Sequence, residues 1–305
     1  MENKKQIAII GAGPAGITAA IYIKRAGFEP VIYEANVPGG KINFTAIVEN
    51  YPSILSISGP DLAELFAKHL KDEKITLIYE EVKEIKKVDN QYEVITDFST
   101  IIYPSIIIAT GTKELSLDLE NVSKFEHRGI SYCAVCDGPL FRNKDVAVVG
   151  GGDAALEEAL YLSNFCNSVT LIHRRDEFRA AQVLVDKIKA SSVKLELSSV
   201  VTSLIGERFL EAIEITSTKD NAKKVLKVNG LFPYIGAKAN TNFLSSLDIV
   251  NNKGYIEVSE KMETSLKGVY AIGDVINKEL RQIVTATNDG AIAGIEASKY
   301  LKELD

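Results

Sequence analysis

Apolar residues along the chain fall into two long blocks of the same design. The first, IAIIGAGPAGITAAIYIKRAGFEPVIYE from Ile7, opens with an apolar run, passes a glycine turn and continues with apolar positions at helical spacing. A second short apolar run closes it. The other block, VAVVGGGDAALEEALYLSNFCNSVTLIH from Val146, repeats that order and aligns with the first without a gap. Each predicts strand, turn, helix and strand, a βαβ unit with parallel strands. Two such units predict an α/β fold with two Rossmann-like domains, doubly wound and three-layered.

The pattern between the blocks predicts a helix around 60–71, a strand at 92–96, and an apolar run ending at Thr110 and Gly111. Strands are expected near 208–217 and 225–235. GVYAIGDV (268–275) reads as a strand ending at Gly273 and Asp274. IVTATNDGAIAGIEASKYL, from Ile283, reads as a long helix rich in small residues. If that tail completes the first domain, the second is inserted within it. The expected division is 1–113 and 243–305 for the first domain and 114–242 for the inserted one.

Both turns obey the G-x-G-x-x-G/A fingerprint. Gly11, Gly13 and Gly16 carry it in the first copy, with Pro14 and Ala15 between them. Gly150, Gly152 and Ala155 carry it in the second, with Asp153 and Ala154 between. The first glycine allows the tight turn, the second lets backbone approach a pyrophosphate, and the third position packs helix on strand. At the end of the second strand the copies diverge. Glu34 can accept hydrogen bonds from a ribose diol, and would repel a 2′-phosphate. His173 stands at the equivalent position in the second copy, followed by Arg174, Arg175 and Arg179, a basic set suited to that phosphate. One acidic and one basic dinucleotide site fit an enzyme holding FAD in the first and NADPH in the second. Asp274, at a strand tip, is placed to hold a ribityl or ribose hydroxyl.

Composition narrows the chemistry. The 305 residues are 46% hydrophobic, enough for two domains, and the net charge of −6 favours neither nucleic acid nor an anionic membrane. Residues 7–23 are apolar, but Pro14 and three glycines suit strand–turn–helix better than a membrane span, so a soluble cytoplasmic protein is expected. Three cysteines, Cys133, Cys136 and Cys166, make no secreted disulfide framework, and no further residues stand at zinc-ligand spacing, so no metal is expected. The pair in SYCAVCDG (131–138) reads as a redox couple, with Asp137 as its acid/base candidate if burial raises its pKa. Cys166 is expected on the second unit's helix as a small core residue. The redox pair precedes the second glycine strand and so belongs with the NADPH unit. Rotation of that unit about its two linkers would present nicotinamide and disulfide to the flavin in turn.

With these residues the chain resembles the low-molecular-weight bacterial thioredoxin reductases, of the flavin pyridine-nucleotide disulfide oxidoreductase family. The matching stretches are GAGPAG (11–16), PGGKI (38–42), ENYP (49–52), ATG (109–111), SYCAVCDG (131–138), GGGDAALEEA (150–159), HRRDEFRA (173–180) and GDV…RQIVTA (273–286). The resemblance implies a homodimer that reduces thioredoxin or a thioredoxin-like protein. It implies FAD contacts from Glu34, Gly39, Gly40, Lys41, Asn50, Thr110, Gly111, Gly273, Asp274, Arg281, Gln282 and Ile283. NADPH contacts are implied for His173, Arg174, Arg175 and Arg179, and the redox role for Cys133 and Cys136, with Cys136 nearer the flavin and Asp137 the acid.

Departures from the family pattern stand at Val135, Lys41 and Ala154, where Thr, Gln and Ser are common. The loop LSLDLENVSKFEHRG lacks the usual Pro-Gly-Glu turn, and GAKANT (236–241) departs too. Rival readings are a ferredoxin-dependent flavin thioredoxin reductase, the reductase of a peroxiredoxin system, and a non-catalytic nucleotide-sensing flavoprotein. The retained arginines weigh against ferredoxin, and the two cysteines beside Asp137 weigh against the sensor.

Overall fold

The computed structural model describes residues 6–304. The chain divides into two compact units. One comprises the described residues up to Asn43, Val48–Lys113 and those from Lys238 onward, and the other comprises Phe44–Ile47 and Glu114–Ala237.

In the first unit the apolar runs become a five-stranded sheet, every pair parallel, in the order Val269–Ala271, Ser105–Ile108, Gln6–Ile10, Glu29–Tyr33, Thr76–Ile78. Both faces are covered, which is why the central strands read as unbroken apolar runs rather than alternating ones. Ile7 and Ile9 pack with Ile17 and Ile23 of the helix Pro14–Arg25 and with Ala293 and Ala297 of the helix Ile283–Leu304. Ala8 and Ile10, pointing the other way, pack with Ile85, Tyr92, Val94 and Tyr103. These last come from an antiparallel sheet of Glu84–Val88, Gln91–Ile95 and Thr100–Tyr103. Full burial of each isoleucine contributes about 1.5–3 kcal/mol.

The second unit repeats the three layers. Its parallel sheet runs Lys194–Leu197, Ser168–His173, Asp145–Gly150, Gly230–Tyr234. Val146 and Val148 face the helices Asp153–Ser163 and Gln182–Lys189, through Leu156, Leu162, Leu184 and Ile188. Ala147 and Val149 face the antiparallel sheet of Ser199–Ile205, Ala212–Ser217 and Lys223–Lys227.

Several local expectations change. The strand expected at 225–235 is two strands in different sheets, Lys223–Lys227 and Gly230–Tyr234, parted at Val228 and Asn229. Its antiparallel neighbour begins at Ala212 and pairs with Ser199–Ile205, a strand the pattern did not predict. GVYAIGDV holds strand only over Val269–Ala271, and Gly273–Val275 forms a short 3-10 turn with Gly273 at φ 73°. Cys166 is not on the helix, which ends at Ser163. It lies beyond the C-cap Asn164 as a half-buried free thiol packed on the core, its pKa pushed up to about 11 by burial.

Candidate active site and nucleotide turns

The first glycine turn follows directly from steric limits. Gly11 has φ 109°, and a Cβ there would lie 2.5 Å from the Ala109 carbonyl oxygen. A Cβ on Gly16 would lie 2.0 Å from the Gly11 carbonyl oxygen, so helix and turn can meet only without a side chain. A Cβ on Gly13 would meet nothing within 4 Å, so the space in front of the helix N-terminus is open, and Gly13 offers no capping side chain. Glu34 turns its carboxylate into this turn, accepting from Ala12 N at 2.8 Å and Asn36 N at 2.9 Å.

The Pro38-Gly39-Gly40 loop folds onto the same turn. Gly39 N donates to the Ala12 carbonyl at 2.7 Å, and a Cβ on Gly40 would sit 3.2 Å from Gly13 Cα. Asn50 Nδ2 donates to Gln282 Oε1 at 3.1 Å, joining two expected FAD residues far apart in sequence. Thr110 donates to the Asn240 carbonyl at 2.8 Å, and Gly111 has φ 62° with open space where a side chain would go.

Asp274 lies among these elements. Burial raises its pKa, while the nearby charges of Lys41, Arg281 and Lys278 pull it down. Arg281 stacks over the Tyr255 ring at 4.7 Å, and its Nε is buried without a hydrogen-bond partner. A buried guanidinium N–H without an acceptor, beside a half-buried carboxylate and open space at a helix N-terminus, fits a group with phosphate and polyol oxygens. FAD is such a group. Ile283 starts the helix that runs to Leu304. The small residues of that helix serve helix packing: a Cβ on Gly290 would lie 2.3 Å from the Ala15 carbonyl oxygen and one on Gly294 2.8 Å from that of Ala19. Asp289 on the same helix accepts from Gly273 N at 3.0 Å and pairs with Lys278 at 2.5 Å.

In the second turn a Cβ on Gly150 would lie 2.5 Å from the Tyr234 carbonyl oxygen and 2.6 Å from Ala155 Cβ. Gly152 caps the helix and faces open space, as Gly13 does. The loop after His173 is tied back over the turn: Asp153 accepts from Ala181 N at 2.8 Å, and Arg179 N donates to the Gly151 carbonyl at 2.8 Å. Ala154 stands in the helix's first turn.

His173 is buried, stacked on Phe178 and 3.1 Å through Nε2 from the Glu177 carbonyl. Burial lowers its pKa and so favours the neutral ring. A Cβ on Gly151 would lie 2.2 Å from that ring, which explains the middle glycine of GGG, a residue the fingerprint does not single out. Arg174, Arg175 and Arg179 are all exposed, and among the described residues none of them is in a salt bridge. Three unpaired guanidinium groups at the strand end fit a phosphate monoester such as that of NADPH.

Cys133 and Cys136 are joined by a disulfide, their Cα atoms 5.3 Å apart, at the start of the short helix Ala134–Asp137. Cys136 is exposed and Cys133 half-buried. Ala134, fully buried, packs with Leu156, Ala159 and Leu162, and a Cβ on Gly138 would touch Leu162 and Phe165. The redox turn therefore rests on the helix that the second glycine turn begins. Ser131 Oγ donates to Asp137 Oδ2 at 2.6 Å and accepts from Cys133 N at 3.1 Å.

Sequence reasoning missed Glu158, on the same helix. It is buried with Oε2 unpartnered, and burial pushes its pKa up to about 8. Its neighbour Glu157 offered no signal to tell the two apart. Among the described residues no cluster could hold a metal ion, and no helix is long and apolar enough to cross a membrane.

Residues 5–290 match the family model described as pyridine nucleotide-disulphide oxidoreductase. The thioredoxin reductase of Listeria innocua is 42% identical over 305 residues, covering 99% of this chain and 96% of that protein. The crystal structure of Lactococcus lactis thioredoxin reductase in its FR conformation superposes with a TM-score of 0.96 at 38% identity, covering 98% and 99% of the two chains. That of T. acidophilum thioredoxin reductase gives 0.94 at 32%, covering 99% and 100%. Two glycine turns of opposite charge character and a disulfide seated on the second thus accompany likeness along nearly the whole chain, and the chain belongs to the pyridine nucleotide-disulphide oxidoreductase family.

Proposed function

We propose that the chain is an FAD-dependent, NADPH-dependent thioredoxin-disulfide reductase. The observation that carries this reading is the Cys133–Cys136 disulfide packed on the helix of the arginine-flanked turn. The net reaction is NADPH plus a proton plus thioredoxin disulfide giving NADP⁺ and thioredoxin dithiol.

Bound FAD would supply the two-electron relay between the nicotinamide of NADPH and the Cys133–Cys136 disulfide. Glu34, Gly39, Gly40, Asn50, Asp274, Arg281 and Gln282 would hold it about the first turn, and Arg174, Arg175 and Arg179 would hold the 2′-phosphate at the second. In the dithiol, one thiolate of the pair attacks a partner sulfur. The partner's S–S bond breaks, a mixed disulfide forms, and the leaving sulfur takes a proton. The second thiol then displaces the partner, re-forming the enzyme disulfide and releasing the partner as a dithiol. Asp137, held by Ser131, would carry the proton.

The reading extends to an FAD domain of 1–113 and 243–305, an NADPH domain of 114–242 that rotates in turnover, a homodimer and a cytoplasmic location. Anaerobic titration of the yellow protein tests it. NADPH is expected to bleach the flavin where equimolar NADH does not, and oxidised thioredoxin to restore the colour. Bleaching by reduced ferredoxin alone would favour the ferredoxin-dependent reading instead.

A further inference from the structure

Tyr234 ends the strand Gly230–Tyr234, opposite Gly150 in the register, and its carbonyl oxygen occupies the space a Gly150 side chain would need. Its ring leaves the strand toward the redox turn. There its hydroxyl oxygen accepts from Ala134 N at 3.2 Å, across 100 residues of sequence. Ala134 is 0% exposed, so water cannot satisfy that amide in the tyrosine's place. The Glu158 carboxyl neighbours the same hydroxyl and, with burial, holds its pKa far above the usual tyrosine value, so the group stays a neutral O–H. A phenylalanine would fill the same space and leave the Ala134 N–H buried without an acceptor.

The neighbouring amides of the turn are held by local groups: Cys133 N by the Ser131 hydroxyl, Cys136 N by Cys133 Sγ at 3.0 Å, and Asp137 N by the Cys133 carbonyl at 3.1 Å. The Tyr234 bond differs from these in coming from a distant strand. It ties the first of the two residues between the cysteines to the strand beside the nucleotide turn.

We propose that Tyr234 is a positioning residue for disulfide exchange, its hydroxyl fixing the Ala134 amide and so the geometry of the Cys133–Cys136 turn. This rests on the reading of that pair as the redox couple. The bond is present in the disulfide state, and the proposal assigns it chiefly to that closed turn, so removing it is expected to weaken the disulfide relative to the dithiol.

The test is Tyr234→Phe in the flavin-loaded enzyme. Equilibrated against glutathione buffers, the Cys133–Cys136 couple is expected to shift about three- to tenfold toward dithiol. Thioredoxin reduction is expected to fall by a similar factor, while NADPH-driven ferricyanide reduction, which bypasses the disulfide, stays within about twofold. A purely structural role would lower both activities together and leave the couple unmoved, and that result overturns the proposal. Should the variant fail to fold, deuterium exchange at the Ala134 amide of the wild-type holoenzyme decides: protection supports the bond and rapid exchange overturns it. A wild-type enzyme inert toward thioredoxin would sink the functional reading instead, since the glutathione couple remains measurable.

Discussion

The Ser131 hydroxyl donates to the Asp137 carboxylate at 2.6 Å, across the turn that carries the disulfide. The same oxygen accepts from Cys133 N, so one serine holds both Asp137 and the first cysteine. Asp137→Asn keeps the shape and removes the proposed proton carrier. Thioredoxin turnover is expected to fall about 10²-fold with ferricyanide reduction retained, as followed by NADPH oxidation in the two assays.

Arg174, Arg175 and Arg179 are exposed while His173 is buried and favoured neutral. Discrimination between NADPH and NADH should therefore reside in the guanidinium groups. Replacing Arg174 and Arg175 by alanine is expected to raise the KM for NADPH by about tenfold or more and leave that for NADH nearly unchanged. An equal rise for both would place the phosphate elsewhere.

Glu158 titrates at about 8 in the folded chain, against 4.5 for the free side chain. At low pH both folded and unfolded states hold the proton, so the group contributes nothing. As pH rises past 4.5 the unfolded chain releases it while the folded chain keeps it, and stability is lost progressively up to about 8. Glu158→Gln, which cannot ionise, is expected to stabilise the protein by an amount on the order of a few kcal/mol at pH 8. Near pH 4 the gain should vanish. Chemical denaturation at the two pH values measures the difference.

Lys278 and Asp289 form a pair with side chains only 15% and 6% exposed, and Asp289 also accepts from Gly273 N next to Asp274. Asp289→Ala strands a buried cation and an amide, and is expected to cost about 3–5 kcal/mol. Flavin retention during gel filtration should fall with it. The double variant Lys278→Met, Asp289→Asn should recover much of the stability, because the uncompensated charge is gone. Thermal melts of the three proteins check this.

The two βαβ units were legible in one dimension because their causes are local. A continuous apolar run, a glycine needed at positive φ, and apolar positions at helical spacing each depend on residues a few places apart. The cysteine pair and the arginine run are likewise contiguous. Misplaced features depended on where a segment packs. Cys166 looked helical by its apolar neighbours, yet the helix ends at Ser163 and the chain turns there. The small residues of the last helix were legible, but that Gly290 and Gly294 make room for Ala15 and Ala19 depends on the packing.

What the linear order could not reveal is which polar group is left alone inside. Glu157 and Glu158 are adjacent and chemically identical, and only the fold buries the second beside Tyr234. Tyr234 reads as one more apolar strand residue until its hydroxyl meets an amide 100 positions away. Periodicity reports which face of an element is buried. Hydrogen-bond partnership across elements is set by how those faces dock, where the cost of an unpaired buried polar atom is first incurred.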